Sequence, residues 1–289
     1  MNRIPFVLIL LASLLVFAAG CGSSPEGTDA AAGNSALPRG PMAEARLIAS
    51  DTHFIPGETQ EVGISFDIAK GWHLYGNGSN DTGYPPRVRV ELPAGYTAGE
   101  IQWPAPHRKT APGDILDHIY EKQVTLLLPV TVPLDAEPGS TAKVTVGLDW
   151  LVCREACIPE SDTVSLALPV AQAGSARPRT AGEAARRMDR ARERIPAEAG
   201  SELACTWDGA TLVIEAAGAS AMYFYPAADS PPTTDLTADG AATGGRMAVR
   251  FSEDGLVAPV RGVVEVVYPD RSPGFYHLRA PAPGPKASD

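Results

Sequence analysis

Short runs of alternating apolar and polar residues recur along the first half of the chain, and turn-forming residues separate them. Within one run Val144, Leu148 and Trp150 fall on the same face, because successive side chains of a strand point to opposite sides. The pattern predicts strands at residues 45–49, 62–68, 88–92, 124–132, 144–152 and 164–168. Their length and spacing are typical of a β-sandwich.

A second β-rich segment follows a helix-like stretch. Residues 181–195 are rich in Ala and Arg, and Ala184, Met188, Ala191 and Ile195 recur at helical spacing. This indicates a short connecting helix. Further strands are predicted at residues 211–215, 221–225, 246–251, 262–268 and 275–278. With 28 Gly and 27 Pro among 289 residues, the composition also favours turn-rich β structure.

The N-terminus has the features of an export signal. Arg3 precedes an apolar run at residues 4–19, which is shorter than the ~20 residues of a membrane-spanning helix. Ala-Ala-Gly-Cys at residues 18–21 resembles a bacterial lipobox, which predicts cleavage and lipid attachment at Cys21. Ordinary signal cleavage that leaves Cys21 free is the alternative, since Ala18 stands where that pattern usually has Leu.

The net charge of the chain argues against nucleic acid as a partner. The net charge is −10, and removal of the signal with Arg3 makes it −11 by the same count. An acidic chain without a basic cluster is a poor candidate for binding nucleic acid. No nucleotide-binding loop and no hydrolase or metalloprotease motif occurs either, so these enzyme classes lose support.

Cys153 and Cys157 are two of only four cysteines, and they lie four positions apart at the end of an apolar run. A disulfide needs Cα atoms roughly 4.4–6.8 Å apart, whereas four steps along a strand span about 13 Å. The chain must therefore turn between these cysteines if they pair. From spacing alone, a redox-active pair and a structural disulfide are equally plausible, and a soft-metal site with His107 and His118 is a third reading.

Several segments resemble one known family, the periplasmic N-terminal domain of the thiol:disulfide interchange protein DsbD, and in particular its two-module ScsB-type version. The segments that carry the resemblance are Gly-Trp-His-Leu-Tyr at residues 71–75, Trp-Pro-Ala-Pro at 103–106, the strand-like run at 120–132 and the cysteine-containing stretch at 150–160. The resemblance spans most of residues 43–170 and is weaker beyond.

The resemblance implies an all-β fold in which an immunoglobulin-like β-sandwich is followed by a second, smaller β-rich and sandwich-like module. The expected divisions are a signal peptide at 1–20, a flexible tether at 21–40, the redox domain at 41–172, a linker with a short helix at 173–200, the second module at 201–280 and a tail at 281–289.

The resemblance also implies roles for particular residues. Cys153 and Cys157 would be the shuttling pair, with Cys157 attacking the partner. A cap loop that shields the cysteines would occupy residues 107–118. Titratable neighbours that could modulate the pair are His73, Tyr75, Asp114, Asp117, His118 and Glu155. Arg154 favours a thiolate and Glu155 opposes one.

Members of this family pass electrons from a membrane-embedded domain to periplasmic thioredoxin-like proteins. No such membrane domain and no Cys-x-x-Cys thioredoxin domain is found in these 289 residues. We therefore expect a lipid-anchored periplasmic module with a separate membrane donor of the CcdA or DsbD transmembrane type, thioredoxin-like acceptors, and no cofactor or bound metal.

A function of a different class, without catalysis, is also compatible with the sequence. The chain could be a non-catalytic β-sandwich lipoprotein, a scaffold or a copper-binding protein, that keeps a structural disulfide. The odd cysteine, Cys205, is expected to be buried in the second module, as lone cysteines most often are.

Overall fold

The structure is a computed structural model that describes residues 40–283, apart from 178, 180 and 253–255. The predicted signal, most of the tether, Cys21 and the last six residues lie outside the described part. Within the described part, no helix is both long and apolar enough to cross a bilayer.

The chain folds as two consecutive sets of β-strands with one helix between them. The first set is β1 (Ala43–Ala49), β2 (Thr59–Ile68), β3 (His73–Tyr75), β4 (Arg87–Glu91), β5 (Thr97–Ala98), β6 (His107–Ala111), β7 (Ile115–Glu121), β8 (Gln123–Thr131), β9 (Thr141–Cys153) and β10 (Cys157–Pro169). Helix α1 (Glu183–Arg192) follows. The second set is β11 (Ala197–Glu198), β12 (Ala204–Asp208), β13 (Thr211–Glu215), β14 (Ala221–Pro226), α2 (Leu236–Asp239), β15 (Ala241–Thr243), β16 (Arg246–Arg250), β17 (Val260–Val267) and β18 (Gly274–Ala280).

The first ten strands form two antiparallel sheets that face each other. One sheet has the order β1-β2-β8-β5, and the other has the order β10-β9-β3-β7-β6 with β4 also paired to β9. Alternate residues of β9 point into the space between the sheets, and Val144, Val146, Leu148 and Trp150 are all buried there. The rings of Trp150 and of Phe66 in the opposite sheet pack edge to face, with 5.3 Å between ring centroids. The all-β sandwich predicted from residue alternation is confirmed.

The later strands enclose a second core. A five-stranded sheet, β11-β18-β17-β14-β15, accompanies a three-stranded sheet, β12-β13-β16. Buried side chains of both sheets, such as Ile214, Phe224 and Val264, form one hydrophobic cluster. Every strand predicted in this region is present, with ends shifted by a few residues. The exact domain boundaries given above stay a prediction.

Helix α1 confirms the predicted connecting helix, although it is shorter than residues 181–195. Its apolar side carries Met188 and Ala191, which are buried against Ile48 of β1 and Leu127 of β8. The helical spacing in the sequence therefore marks the face that packs on the first sandwich.

Two expectations about the strands of the first set are wrong. The segment at 107–118, expected to be a loop, forms the antiparallel hairpin β6–β7. Strand β10 begins at Cys157 instead of Val164 and pairs with β9 along its whole length. Pro159 and the acidic residues after it lie within this strand. They are accommodated because β10 is an edge strand, where a missing N–H and exposed charges are tolerated.

Candidate redox site

The hairpin of β9 and β10 brings the two cysteines together. Cys153 and Cys157 are directly opposite each other in the antiparallel register, and residues 154–156 form the turn. Their Cα atoms are 4.1 Å apart, and the sulfurs form a disulfide. The predicted turn between the cysteines is thus present, as a strand-to-strand hairpin turn. Opposed residues of an antiparallel pair provide a short Cα distance that a single strand cannot.

The two sulfur-bearing residues differ in their access to solvent. Cys153 is 3% exposed and packs with Tyr75 of β3, Ile119 of β7 and Leu151. Cys157 is exposed. A thiolate from another protein can therefore approach the sulfur of Cys157, whereas that of Cys153 is shielded.

Tyr75 provides the polar contact to the accessible sulfur. Its hydroxyl oxygen lies 3.5 Å from Cys157 Sγ and 2.9 Å from Thr82 Oγ1. The ring is buried, and Gly83 lies so close to it that a Cβ at that position would be 2.1 Å from a ring carbon. Burial raises the pKa of the Tyr75 phenol, so the hydroxyl keeps its hydrogen at neutral pH.

Asp117 is the buried carboxylate of this site. It accepts hydrogen bonds from the backbone N–H groups of Asp81 and Thr82, at 3.0 Å each. The Thr82 hydroxyl donates to Asp117 Oδ2 at 2.5 Å. Because a carboxylate only accepts, the single hydrogen of Thr82 is committed to Asp117, and Thr82 Oγ1 accepts from Tyr75. Cys157, Tyr75, Thr82 and Asp117 thus form a continuous chain of polar contacts.

His73 lies next to Cys153 in the neighbouring strand. Lys109 Nζ is 3.0 Å from His73 Nδ1, and since an ammonium group only donates, Nδ1 accepts. Desolvation, followed by the positive charge of Lys109, lowers the pKa of His73. The imidazole is therefore neutral at pH 7, and its ring contacts Tyr75 edge to face with centroids 5.4 Å apart.

The other predicted neighbours lie apart from this chain of contacts. Glu155 occupies the turn between the cysteines with 87% of its side chain exposed, 4.0 Å from Arg154. Asp114 is at the tip of the β6–β7 hairpin with a φ of 58°, and its carbonyl accepts from Thr237 at 3.1 Å.

His118 precedes Ile119 on β7, so its side chain points to the face opposite the cysteine cluster. The ring is 1% exposed and contacts Tyr225 of β14, with centroids 5.2 Å apart. Nδ1 donates to the Ser79 carbonyl at 2.7 Å, and Nε2 is buried without a hydrogen-bond partner. Desolvation lowers the pKa of His118 to about 4.

The sequence patterns did not identify two residues of the site, Thr82 and Lys109. Thr82 lies in the Gly- and Asn-rich segment between β3 and β4, where the pattern indicates only ordinary turns. Lys109 lies in the segment expected to be a loop. No local signal singles out either residue, because their partners are distant in sequence.

Cys205 lies outside the redox site, in the second set of strands. Cys205 is exposed on β12, so the expectation that it is buried is wrong. Its strand is an edge of the three-stranded sheet β12-β13-β16. Among residues 40–283 that are described, no group of three or more His, Cys, Asp or Glu is arranged to hold a metal ion.

Comparison with known proteins gives one family. Residues 44–169 match the sequence model described as "Thiol:disulfide interchange protein DsbD, N-terminal". No curated protein matches the chain at a significant level.

A solved structure shows the same fold, and a second one is more distantly similar. The N-terminal periplasmic domain of ScsB from Proteus mirabilis is 14% identical with a TM-score of 0.53, and the match covers 83% of this chain and 92% of that one. The reduced N-terminal domain of DsbD from Neisseria meningitidis is 13% identical over 47% of this chain and 90% of its own, with a TM-score of 0.25. On the family match and the shared fold, residues 44–169 form a DsbD-type N-terminal domain.

Proposed function

We propose that this protein is a thiol:disulfide oxidoreductase module that relays reducing equivalents from a membrane electron donor to periplasmic thioredoxin-like proteins. One observation carries the proposal. A disulfide with one exposed and one buried cysteine, Cys157 and Cys153, occupies the hairpin end of a DsbD-type domain. A purely structural bond needs no such asymmetry.

In the reduced module, the Cys157 thiolate attacks one sulfur of the acceptor's disulfide. The acceptor's other sulfur leaves as a thiolate, and a mixed disulfide joins the two proteins. Cys153 then loses its proton and attacks Cys157 Sγ, which releases the acceptor as a dithiol. The module ends as the Cys153–Cys157 disulfide, and two electrons have passed to the acceptor.

Recharging reverses this chemistry. A thiolate of the donor attacks the exposed Cys157 Sγ, and Cys153 leaves as a thiolate that takes up a proton. A second donor thiolate resolves the mixed disulfide, which leaves the donor oxidised and the module reduced. By family resemblance the donor is of the CcdA or DsbD transmembrane type.

The polar chain from Cys157 to Asp117 gives the thiol a route for its proton. A Cys157 S–H can donate to the Tyr75 oxygen, Tyr75 donates to Thr82, and Thr82 donates to the Asp117 carboxylate. In each of these three hydrogen bonds the donor is on the Cys157 side and the acceptor is on the Asp117 side. A shift of each hydrogen along this chain leaves a thiolate on Cys157 and a proton on Asp117, so Asp117 acts as a general base through two hydroxyl groups.

We also propose a periplasmic location with a lipid anchor at Cys21. The lipobox-like residues 18–21 and the apolar run before them support this assignment. The anchor would hold the module beside its membrane donor while the tether allows it to reach soluble acceptors.

Single-cysteine variants in cells test the relay. Both are made in a Cys205→Ser background, because Cys205 is an exposed thiol that would add unrelated adducts. We expect Cys153→Ser to accumulate mixed disulfides of a thioredoxin-like protein on Cys157, and Cys157→Ser to accumulate far fewer. If neither variant holds a protein partner, the relay proposal fails.

The reduction potential separates the relay from a structural disulfide. We expect rapid exchange with a thioredoxin-like protein and a potential within the range of exchange proteins. A potential below about −300 mV together with slow exchange would favour the non-catalytic reading.

A further inference from the structure

Arg108, on the edge strand β6, joins the hairpin next to the redox site to the second set of strands. Its Nη1 donates to the Gly240 carbonyl at 2.8 Å, and its Nη2 donates to the carbonyls of Leu236 and Thr237 at 3.2 and 3.1 Å. These carbonyls lie in and directly after α2, which is a single helical turn. The Leu236 and Gly240 carbonyls also accept backbone N–H groups, from Gly240 and Phe224 at 2.9 Å each, so the guanidinium adds to their hydrogen bonds. A Cβ at Gly240 would lie 2.5 Å from Arg108 Nη1, so the guanidinium fits closely there.

Three further contacts reinforce this junction. The Thr237 hydroxyl donates to the Asp114 carbonyl at the tip of the hairpin, at 3.1 Å. The N–H of Ser79 donates to the Pro226 carbonyl at 3.0 Å. The His118 ring of β7 contacts the Tyr225 ring edge to face. We call these contacts, together with those of Arg108, the brace.

Strand β7 connects the hairpin to the loop residues that lie beside Tyr75 and the cysteines. Its backbone N–H groups at Leu116 and His118 donate to the side chains of Asp81 and Asn80, at 2.7 and 2.8 Å. Asp117, between them, holds the backbone and hydroxyl of Thr82. The loop that places Thr82 against Tyr75 is therefore fastened to β7 and moves with it.

An unbraced hairpin in this place would be prone to open. Strand β6 is the edge of its sheet and is paired on one side only, and the tip has a non-glycine residue at positive φ. Edge hairpins with few buried contacts belong to the parts of a fold that open most readily. The brace supplies the missing contacts from the second set of strands.

We propose that Arg108 is a positioning residue, and that the second set of strands serves to hold the β6–β7 hairpin so that Asp117, Thr82 and Tyr75 stay aligned on Cys157. This assigns a role to the second module, which the proposed thiol exchange alone does not use. The effect on Cys157 reactivity rests on that proposed function, whereas the effect on hairpin opening does not.

The test uses full-length protein carrying Arg108→Met, which keeps the aliphatic stem but removes the three donors. Thr237→Val is a milder second variant that removes a single donor at nearly constant shape. Arg246→Met is the matched control, since Arg246 is an exposed arginine of β16 whose ion-pair partner is Glu215. Each protein is studied by amide hydrogen exchange and by alkylation of the reduced form as a function of pH.

We expect Arg108→Met to speed exchange of the amides at residues 81–82 and 115–121 by about tenfold or more, with β13 amides unchanged. The midpoint pH for Cys157 alkylation should move upward by about half a unit, because Tyr75 is no longer held to donate its hydroxyl hydrogen to the Cys157 thiolate. Thr237→Val should change both quantities in the same direction by less, and Arg246→Met should change neither.

Two results would overturn the inference. One is unchanged protection of residues 115–121 in Arg108→Met. The other is a general loss of protection in all strands with an unchanged alkylation midpoint, which would mean that Arg108 only adds stability. Faster hairpin exchange in a protein that reduces no thioredoxin-like partner would uphold the brace and count against the relay instead.

Discussion

At the scale of single residues, the direction of each hydrogen bond in the site follows from the number of hydrogens that its hydroxyl and thiol groups carry. Thr82 has one hydroxyl hydrogen, which the Asp117 carboxylate takes at 2.5 Å. Tyr75 also has one, and it lies within reach of both Thr82 and Cys157 Sγ. While the disulfide is intact the sulfur offers no hydrogen, and after reduction it can donate to Tyr75. The chain of contacts is therefore complete as a proton route only in the reduced state.

Tyr75→Phe removes the link between Cys157 and Asp117 and keeps the buried ring. We expect the pKa of the Cys157 thiol to rise, because the thiolate loses the hydrogen bond that the Tyr75 hydroxyl donates to it. Alkylation of the reduced protein at pH 7 should slow about fivefold, since one hydrogen bond of this kind contributes about 1 kcal/mol. The rate is measured with iodoacetamide under pseudo-first-order conditions. Tyr96→Phe, which changes a tyrosine that packs on Phe54, is the control and should leave the rate unchanged. An unchanged rate in Tyr75→Phe would contradict the proton route.

His118 makes stability depend on pH. Its pKa is about 4 in the folded protein and near 6.5 in the unfolded chain, so the unfolded chain binds more protons between these values. The free energy of unfolding should fall by about 2 kcal/mol as pH drops from 7.5 to 5 because of this residue alone.

Urea unfolding of the wild type and of His118→Gln at both pH values measures this contribution. The pKa values of His73 and His107 are also lowered by burial, so they act in the same direction and stay in the variant. The pH dependence of His118→Gln should be weaker by about 2 kcal/mol. His53→Gln, which alters an exposed hydrogen bond with Thr52, serves as the control. Equal pH dependence in the wild type and His118→Gln would show that the ring is not a buried neutral imidazole.

At the scale of elements, the β9–β10 hairpin carries the cysteines at one end, and Glu160, three residues after Cys157, links it to the start of β1. The Glu160 carboxylate accepts from the N–H groups of Met42 and Ala43 at 2.7 and 3.2 Å, and from Trp150 Nε1 at 3.1 Å. It thereby ties the start of β1 to the hairpin and orients the buried indole. Its three donors all lie away from the sulfur atoms, so stability and reactivity can be separated here.

Glu160→Gln should lower the free energy of unfolding by about 2 kcal/mol, because an amide replaces a charged acceptor and turns its NH₂ group toward N–H donors. Chemical unfolding followed by Trp fluorescence measures the loss. Asp162→Asn is the control, since that exposed side chain accepts only from the neighbouring Thr163 N–H in the hydrogen bonds described. Alkylation of reduced Cys157 should be the same in both variants, and a slower rate in Glu160→Gln would mean that the hairpin end depends on this anchor.

At the scale of the whole molecule, the two sets of strands have separate cores but share a bridging arginine. Arg194, which follows α1, donates to the carbonyls of Ala105 and Pro106 of the first set. Its guanidinium also lies over the Phe275 ring of β18, 4.5 Å from the centroid. Together with the brace, this contact makes the stability of one set depend on the other.

Arg194→Met should lower the free energy that couples the unfolding of the two sets of strands by about 2 kcal/mol, because two backbone carbonyls lose a charged donor. Calorimetry is expected to show one thermal transition in the wild type and a broadened or divided transition in the variant. Arg279→Met removes an exposed arginine paired with Glu198 and should leave a single transition. If both variants behave alike, the coupling lies elsewhere.

The sequence by itself predicted most of the longer strands, the connecting helix and the close spacing of Cys153 and Cys157, because alternation, helical spacing and a four-residue separation are local patterns. It also pointed to the family through short contiguous segments. The tertiary structure decided which cysteine is exposed, brought Thr82 to Asp117 across 35 residues and Tyr75 to Cys157 across 82, and set Arg108 against Gly240 across 132. Strand pairing also made the segment expected to be a loop into the β6–β7 hairpin, and it placed the His118 side chain on the face opposite the cysteines. Such contacts follow from how strands pair and sheets pack, and no periodicity in one segment carries that information.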